Sequence, residues 1–286
     1  MTRIDQFESV FRAAGRTLYR YDPTGLERVL VVTDLDGAGA RQIGGQVWTF
    51  LDQHGLAAGA HQRNVDGSEF ETVRDLLDLV EAEAPDLICT YRHLHSVAWH
   101  WPFSLGEHLD VLTQATATPV LVLPHPEAGR IAGHAMQDTG VVMAMTDHLT
   151  GDHRLVSFAA DMADRGGRLL VTHVEDGVTF ERYMDTISKL PRIDTDEARQ
   201  DILRQLLEEP RQYVDSCRQV LAEGRPDLSV EGIVTVGRSL SEYSRLVEEH
   251  EVDLLVLNTK DADQLAMHGV AYPVVVQLRQ IPLLLL

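Results

Sequence analysis

One order of features occurs twice in this sequence, and this repeat constrains the fold more than any other property. The run VVTD at 31–34 recurs as AMTD at 144–147, an apolar run that ends in aspartate both times. The other matched features are the capping-box patterns at 68–71 and 239–242, the segments at 81–89 and 248–256, and the glycines 13 residues ahead of a proline, Gly106 and Gly269. Because all four pairs keep the same order, the sequence predicts a duplicated unit.

Short apolar runs without alternation separate the helical segments of each copy. Such runs are typical of strands that are buried on both faces of a parallel sheet. The predicted strands are 28–34, 57–65, 87–91, 119–124, 140–147, 168–174, 229–236, 253–258 and 282–286. The pattern predicts an α/β fold of two fused Rossmann-like domains, 1–126 and 127–286, each a parallel sheet with helices on both faces. The polar segment 125–139 is predicted to link them.

The two copies are unequal in length. The strand at 168–174 and the helical stretch after it have no partner in the first copy, which is therefore predicted to have lost one strand–helix unit. Residues 176–195 are predicted to be irregular, and Pro210 is predicted to kink or split the long acidic helix that follows. A short helix at 4–14 is predicted to cover an edge of the first domain.

The net charge, the apolar runs and the cysteine count of the chain disfavour several functions. The formal net charge is −19, from 44 acidic and 25 basic residues, which disfavours binding to nucleic acid or to anionic lipid. No apolar run is long enough to span a membrane, and no signal peptide is apparent. Two cysteines cannot form a disulfide framework. We therefore expect a cytoplasmic protein without membrane insertion.

Each half resembles a universal stress protein domain, the second half more closely. The resemblance depends on the strand ending in aspartate, on a later DLIC- or DLLV-type strand, and on the closing proline-led apolar strand. It implies the adenine nucleotide alpha hydrolase-like fold and a pseudo-two-fold dimer of the two domains. The closing strands, 120–123 and 283–286, are predicted to pair within the chain, which would protect two apolar edges.

The resemblance also implies candidate ligand-binding residues. In nucleotide-binding members of the family, the aspartate after the first strand contacts the adenine end, and Gly-x-x-Gly, nine residues and Gly-Ser/Thr hold the ribose and phosphates. The matching cofactor-binding candidates are Asp34, Asp36, Gly106, Asp147, Val174, Asn258 and Gly269. The alternative is that each strand-end aspartate caps the next helix.

The phosphate-binding glycines are missing in both copies. Counted from the strand, their positions are taken by Tyr91 and Leu94 in the first copy and by Asn258 and Asp261 in the second. Counted back from Gly106 and Gly269, they are taken by His93 and Ser96, and by Val256 and Thr259. Without glycine, backbone N–H groups approach phosphate oxygens less closely. No cofactor is therefore expected, although ATP or AMP binding is left open.

The first copy carries a loop rich in histidine and tryptophan, YRHLHSVAWHWPF at 91–103. Its weak metal-ligand candidates are His93, His95 and His100. The preferred interpretation is that this loop fills the vacated nucleotide cleft, with Trp99 and Trp101 supplying buried aromatic area.

No nucleophile–base motif accompanies these features, so we expect no enzymatic activity, with weak ATPase activity left open. The sequence predicts a non-catalytic regulatory or stress-response protein that binds a partner protein or a small ligand. One alternative is an adenine-nucleotide sensor that uses the C-terminal domain. A second is a metal- or pH-responsive module that uses the histidines between 93 and 108, and a further homodimer is left open.

Overall fold

The computed structural model describes residues 18–101, 103–127, 136–146, 153–259 and 271–286. The strands in chain order are β1 Arg28–Val32, β2 His61–Val65, β3 Leu87–Tyr91, β4 Val120–Leu123, β5 Val141–Thr146, β6 Arg168–Asp176, β7 Ser229–Gly237, β8 Leu254–Leu257 and β9 Leu283–Leu285. They form one nine-stranded sheet in the order β2-β1-β3-β4-β9-β8-β5-β6-β7. Neighbouring strands are parallel except for the pair β4 and β9. The predicted parallel α/β architecture is confirmed.

The two halves repeat one strand order from the centre of the sheet outwards. The order β9-β8-β5-β6 in the second half matches β4-β3-β1-β2 in the first, and β7 has no counterpart. Residues 66–72, all of which are described, lead from β2 directly into the next helix. The first half does lack one strand–helix unit, as predicted, but the missing strand is not the predicted one. β2 matches β6, so the strand predicted at 168–174 has a counterpart, and β7 is the strand without one. β2 becomes an edge strand, and its polar sequence HQRNV suits that place, because charged edges discourage pairing with another chain.

The two halves join through an antiparallel pair of apolar strands. The residue pairs are Val120 with Leu285, Leu121 with Leu284, and Val122 with Leu283. These side chains are at most 2% exposed. The predicted pairing of the closing strands is confirmed, and it removes two apolar edges from solvent.

Helices connect the parallel strands, since a parallel pair needs a crossover. They are α1 Gly37–Gln53, α2 Val73–Glu83, α3 Glu107–Ala115, α4 His153–Asp161, α5 Gly177–Ile187, α6 Thr195–Gly224, α7 Ser239–Glu249 and α8 Ala271–Gln277. None of the helices in the described ranges combines the length and the apolar character that a membrane crossing requires.

Both predicted capping boxes are wrong. The box predicted at 68–71 lies before α2, and the helix is capped four residues later by Thr72, whose partner is Asp75. The box predicted at 239–242 is not formed, because Ser239 is already the first helical residue of α7. The residue at the N-cap position is Arg238, whose side chain makes no capping hydrogen bond. The short pattern permits a cap, but the backbone geometry decides which residue forms it.

The insertion in the second half is more helical than predicted. The prediction that residues 176–195 are irregular is wrong, because they contain α5, which Asp176 caps and which buries Phe180 and Met184 one turn apart. Pro210 does not split α6, which runs without interruption. Pro210 is buried, so packing compensates the hydrogen bond that a proline cannot donate.

The segment ahead of β1 packs against the second half. The Tyr19 backbone N–H donates to Ser216 Oγ at 3.1 Å, and the Thr24 N–H donates to Asp161 Oδ2 at 2.6 Å. The segment from Tyr19 to Thr24 therefore connects the start of the first half to α4 and α6. The helix predicted at 4–14 lies outside the described residues.

Candidate functional site

Asp34 lies two residues after β1, and its carboxylate is held by the last residue of β3 and by the segment that follows that strand. The Tyr91 hydroxyl donates a hydrogen bond to Asp34 Oδ1, and the His95 backbone N–H donates to Asp34 Oδ2 at 2.8 Å. Tyr91 is fully buried. Burial first, and then the Asp34 carboxylate, raises the pKa of Tyr91 above its ordinary value. The hydroxyl therefore keeps its proton, and both oxygens of Asp34 bind groups of the protein itself.

Asp36 has a different role, because it caps α1. Its Oδ1 accepts from the backbone N–H groups of Ala38 at 3.1 Å and Gly39 at 2.8 Å. These donors have no partner within the first helical turn, so the aspartate satisfies them. The capping alternative therefore describes Asp36 but not Asp34.

A stack of aromatic rings begins at the Tyr91 side chain. The His125 ring meets Tyr91 edge-on at 5.0 Å and stacks on Trp99 at 4.7 Å, and Trp99 also stacks on His100 at 3.7 Å. Burial lowers the pKa of His125 to about 4, so its ring is neutral near pH 7. This packing agrees with the interpretation that the loop at 91–103 fills the vacated nucleotide cleft of the first half. The expectation that both tryptophans supply buried area is wrong for Trp101, which is 56% exposed, and Trp99 is only partly buried.

Gly106 allows two segments of the loop to approach closely. Its backbone has φ +89° and ψ 150° at the start of α3. A Cβ atom at this position would lie 2.7 Å from His93 Cα and 2.8 Å from the His93 backbone nitrogen. The His93 N–H donates to Leu105 O at 2.9 Å. The glycine that the resemblance assigns to phosphate binding contacts the backbone of its own chain.

The three candidate metal ligands have separate surroundings. The His95 ring packs edge-on against Phe70 at 4.7 Å, and His100 stacks on Trp99. Burial lowers the pKa of His93. Within the described part of the chain, no group of three or more histidine, cysteine, aspartate or glutamate side chains could hold a metal ion. The geometry gives the metal hypothesis no support.

Arg92 connects this loop to the second half. It is 3% exposed, and one guanidinium nitrogen donates to Val275 O and Leu278 O, both at 2.7 Å. These carbonyls lie at the C-terminal end of α8, where a cation is favoured. Burial first, and then the Arg279 charge, lowers the pKa of Arg92 to about 9. The arginine therefore couples the first candidate site to the last helix of the chain.

Only two candidate residues of the second half can be described. Val174 is 8% exposed near the end of β6, and Asn258 directly follows β8. Because β5 lies between β6 and β8, the carboxyl ends of these three strands meet at one edge, where open parallel sheets bind ligands. Asp147 and Gly269 lie outside the described residues.

The sequence does not single out three side chains that contribute to these sites. His173 Nδ1 lies 3.2 Å from Thr146 O, and its Nε2 lies 3.4 Å from Glu175 Oε2. His125 falls within the predicted linker, and Tyr91 is noticed only as a replacement for glycine. One signal could have identified the tyrosine: it ends β3, the neighbour of β1, so its hydroxyl can reach an acidic group at the end of β1.

These observations define a class of protein, in which two parallel-sheet α/β units are fused through one continuous sheet and place acidic side chains at the ligand-binding edge. The model of the family described as "Universal stress protein family" matches residues 140–274. Residues 140–274 therefore belong to the universal stress protein family. The comparison with curated proteins gave no match.

Several solved structures are similar to this chain at low identity. A functionally unknown protein, PA1789 from Pseudomonas aeruginosa PAO1, is 15% identical, with 91% of this chain and 92% of that chain covered and a TM-score of 0.49. A universal stress protein from Archaeoglobus fulgidus DSM 4304 is 12% identical, with 91% and 85% covered and a TM-score of 0.49. A universal stress protein family member from Burkholderia pseudomallei is 16% identical, with 52% and 96% covered and a TM-score of 0.32.

Proposed function

We propose that this chain is a non-catalytic regulatory protein of the stress-response type, which acts by binding a partner protein or a small ligand. The observation that carries the proposal is the hydrogen bonding of Asp34 to Tyr91 and His95. In nucleotide-binding members of the family, the aspartate at the position of Asp34 contacts the nucleotide. In this chain, the carboxylate of Asp34 instead binds Tyr91 and His95 of the chain's own loop. A filled cleft of this kind supports a binding role for the scaffold and no chemical step.

The energetic barrier to nucleotide entry supports this proposal. A hydrogen bond to a charged group contributes about 1.5–3 kcal/mol, so breaking even one of the Asp34 contacts would weaken nucleotide binding by about tenfold or more. The stacked rings of Trp99 and His125 would also have to separate. The net charge of −19 further opposes a triphosphate.

An adenine-nucleotide sensor that uses the second half is the alternative. It is favoured by the family match at 140–274 and by the complete five-stranded unit there. Asp147, Val174, Asn258 and Gly269 would be its binding residues, and the phosphate contacts would need a mode without Gly-x-x-Gly. The histidine-based alternative, which uses the histidines between 93 and 108, retains only a pH response, for example at the buried His93, whose pKa burial lowers.

Calorimetry with the full chain tests the proposal. ATP, ADP and AMP, each with Mg²⁺, are titrated into the unmodified protein and into Asp34→Ala and Asp147→Ala. We expect no saturable heat at about millimolar nucleotide and no phosphate release from ATP. Binding that Asp147→Ala abolishes and Asp34→Ala preserves would establish the alternative. Binding that Asp34→Ala abolishes would show that the first cleft is open and would refute the proposal.

A further inference from the structure

The helix α5 is an addition to the framework of the second half. A parallel pair of strands needs one crossover, and α6 already provides the helix between β6 and β7. α5 buries only Phe180 and Met184, and its other residues are exposed or partly exposed. The architecture of the sheet therefore does not account for the surface that this helix presents.

The exposed side of α5 and of the turn after it is apolar. Tyr183 is 54% exposed, Leu190 48% and Ile193 44%. The Leu190 N–H donates to Ile187 O at 2.9 Å, and the Ile193 N–H donates to Leu190 O at 3.2 Å, so the chain keeps winding beyond the helix. Tyr183 and Leu190 are two turns apart and Ile193 is one turn further, so the three side chains follow one side of the segment. Exposed apolar groups that cluster in this way, with polar groups around them, are typical of interaction sites.

Positive charge accompanies these apolar side chains. Arg182 and Arg192 are exposed, and they are the sequence neighbours of Tyr183 and Ile193. Each carboxylate of the segment already binds another group: Glu181 binds Arg199, Asp185 binds Lys189, and Asp194 caps α6. Among the described residues, the two guanidinium groups therefore have no carboxylate partner. The surface is locally positive, although the net charge of the chain is −19.

Contacts with α6 hold this surface in place. The Arg199 guanidinium donates to the two carboxylate oxygens of Glu181 at 2.5 and 2.8 Å, and it lies 5.5 Å from the centre of the Phe180 ring. Asp176 caps the other end of the helix. A surface that is already ordered loses less conformational entropy when it binds.

A short acidic segment of another protein fits this surface better than a second copy of the chain does. A two-fold pairing would place the arginines of one copy against those of the other, and two chains of charge −19 repel each other. Nucleic acid meets the same net charge, and two arginines neutralise few phosphates. A short segment differs, because at physiological salt it interacts chiefly with charges within about 8 Å.

We propose that Arg182, Tyr183, Leu190, Arg192 and Ile193, the α5 surface, bind a short acidic segment of a partner protein. Apolar side chains of that segment pack on Tyr183, Leu190 and Ile193, and its carboxylates pair with the two arginines. Arginine and tyrosine are the side chain types that most often dominate the affinity of an interface, together with tryptophan. The inference names the partner-binding surface for the proposed function and rests on that function.

Selection from a phage-displayed library of random dodecapeptides tests the proposal on the full chain. We expect enrichment of peptides that combine aspartate or glutamate with leucine, isoleucine, phenylalanine or tryptophan. The enriched peptides are synthesised with a fluorescent label and titrated by anisotropy, where saturable binding is expected. Leu190→Asp should weaken their binding by about tenfold or more, and so should Arg182→Glu combined with Arg192→Glu.

Two exposed residues outside the α5 surface provide matched controls. Arg211 is exposed on α6, about 18 Å along the helix from Arg199 at 1.5 Å per residue. Val97 is 74% exposed in the first half. Arg211→Glu and Val97→Asp should leave the affinity of the peptides unchanged. If the double arginine variant does not fold, Arg192→Glu alone is judged by the same criterion.

The possible outcomes separate this proposal from the proposed function. A lack of enriched peptides, enrichment without acidic residues, or equal affinity for the unmodified protein and Leu190→Asp would overturn it. A dimer in light scattering that Leu190→Asp dissociates would assign the surface to a second copy, and displacement of the peptides by a DNA oligonucleotide would assign it to nucleic acid; either result overturns the proposal. Peptide binding that ignores the α5 variants would leave the proposed function intact, whereas nucleotide binding that Asp34→Ala abolishes refutes that function alone.

Discussion

Replacing Gly106 with alanine should destabilise the protein strongly, although only one methyl group is added. The positive φ of +89° is unfavourable for alanine and costs about 1–3 kcal/mol. The added Cβ would also lie 2.7 Å from His93 Cα, and overpacking against backbone costs about 1–3 kcal/mol more. The free energy of unfolding should therefore fall by about 2–6 kcal/mol.

Gly55→Ala is the matched control, because it shares the positive φ without the contact. Its φ is +73°, and an added Cβ would meet no described atom within 4 Å. At Gly55, only the cost of the left-handed backbone conformation should lower the free energy of unfolding, by about 1–2 kcal/mol. The difference between the two variants isolates the close approach of the loop to Gly106.

Urea unfolding followed by circular dichroism measures both variants. Tryptophan fluorescence adds a local readout, since Trp99 lies in the loop that Gly106 contacts. If Gly106→Ala is destabilised no more than Gly55→Ala, then His93 does not pack on this glycine. The argument that the glycine serves the loop would then be refuted.

The pair of strands β4 and β9 and the partly buried ring of His125 give two further predictions. Leu284→Asp places a carboxylate between β4 and β9, where the side chain is 1% exposed, so the free energy of unfolding should fall by about 3 kcal/mol or more. The exposed Ser229→Asp on β7 should change it by less than about 0.5 kcal/mol, and similar urea midpoints for the two variants would contradict the shared sheet. Burial lowers the pKa of His125 from 6.5 to about 4, so the unfolded chain binds a proton at this residue before the folded protein does. The neutral ring of His125 therefore contributes its full share of the free energy of unfolding above pH 6.5. That share disappears as the pH falls towards 4. His125→Gln should therefore lose less stability than the unmodified protein over that range, and identical pH profiles from urea unfolding would refute this assignment.

The strands and their repeat along the chain could be predicted because they depend on regular patterns. Apolar runs without alternation mark strands buried on both faces, and their repetition gives the order of the second unit from the first. The pairing of 120–123 with 283–286 is implied by the family resemblance, and it agrees with the need of two apolar edge strands for cover. These features depend on composition along a segment, which a single sequence displays.

The candidate site could not be predicted in the same way, because it depends on contacts between distant segments. His125 is remote in sequence from Trp99 yet stacks on it, and no periodicity marks that pair. The side chain of Asp34 could cap a helix, contact a ligand or bind Tyr91, and only the position of the loop selects among these. The helix α5 escapes prediction for a related reason, since it buries only Phe180 and Met184 and depends on packing against the rest of the chain.

The antiparallel contact of β4 and β9 has a consequence for symmetry. When two identical chains meet across a two-fold axis, every substitution occurs on both sides, so each side must tolerate it. Here both sides belong to one polypeptide, and a substitution alters one side alone. The two units also stay in a one-to-one ratio that dilution cannot change, so one of them is free to give up a strand while the other keeps it.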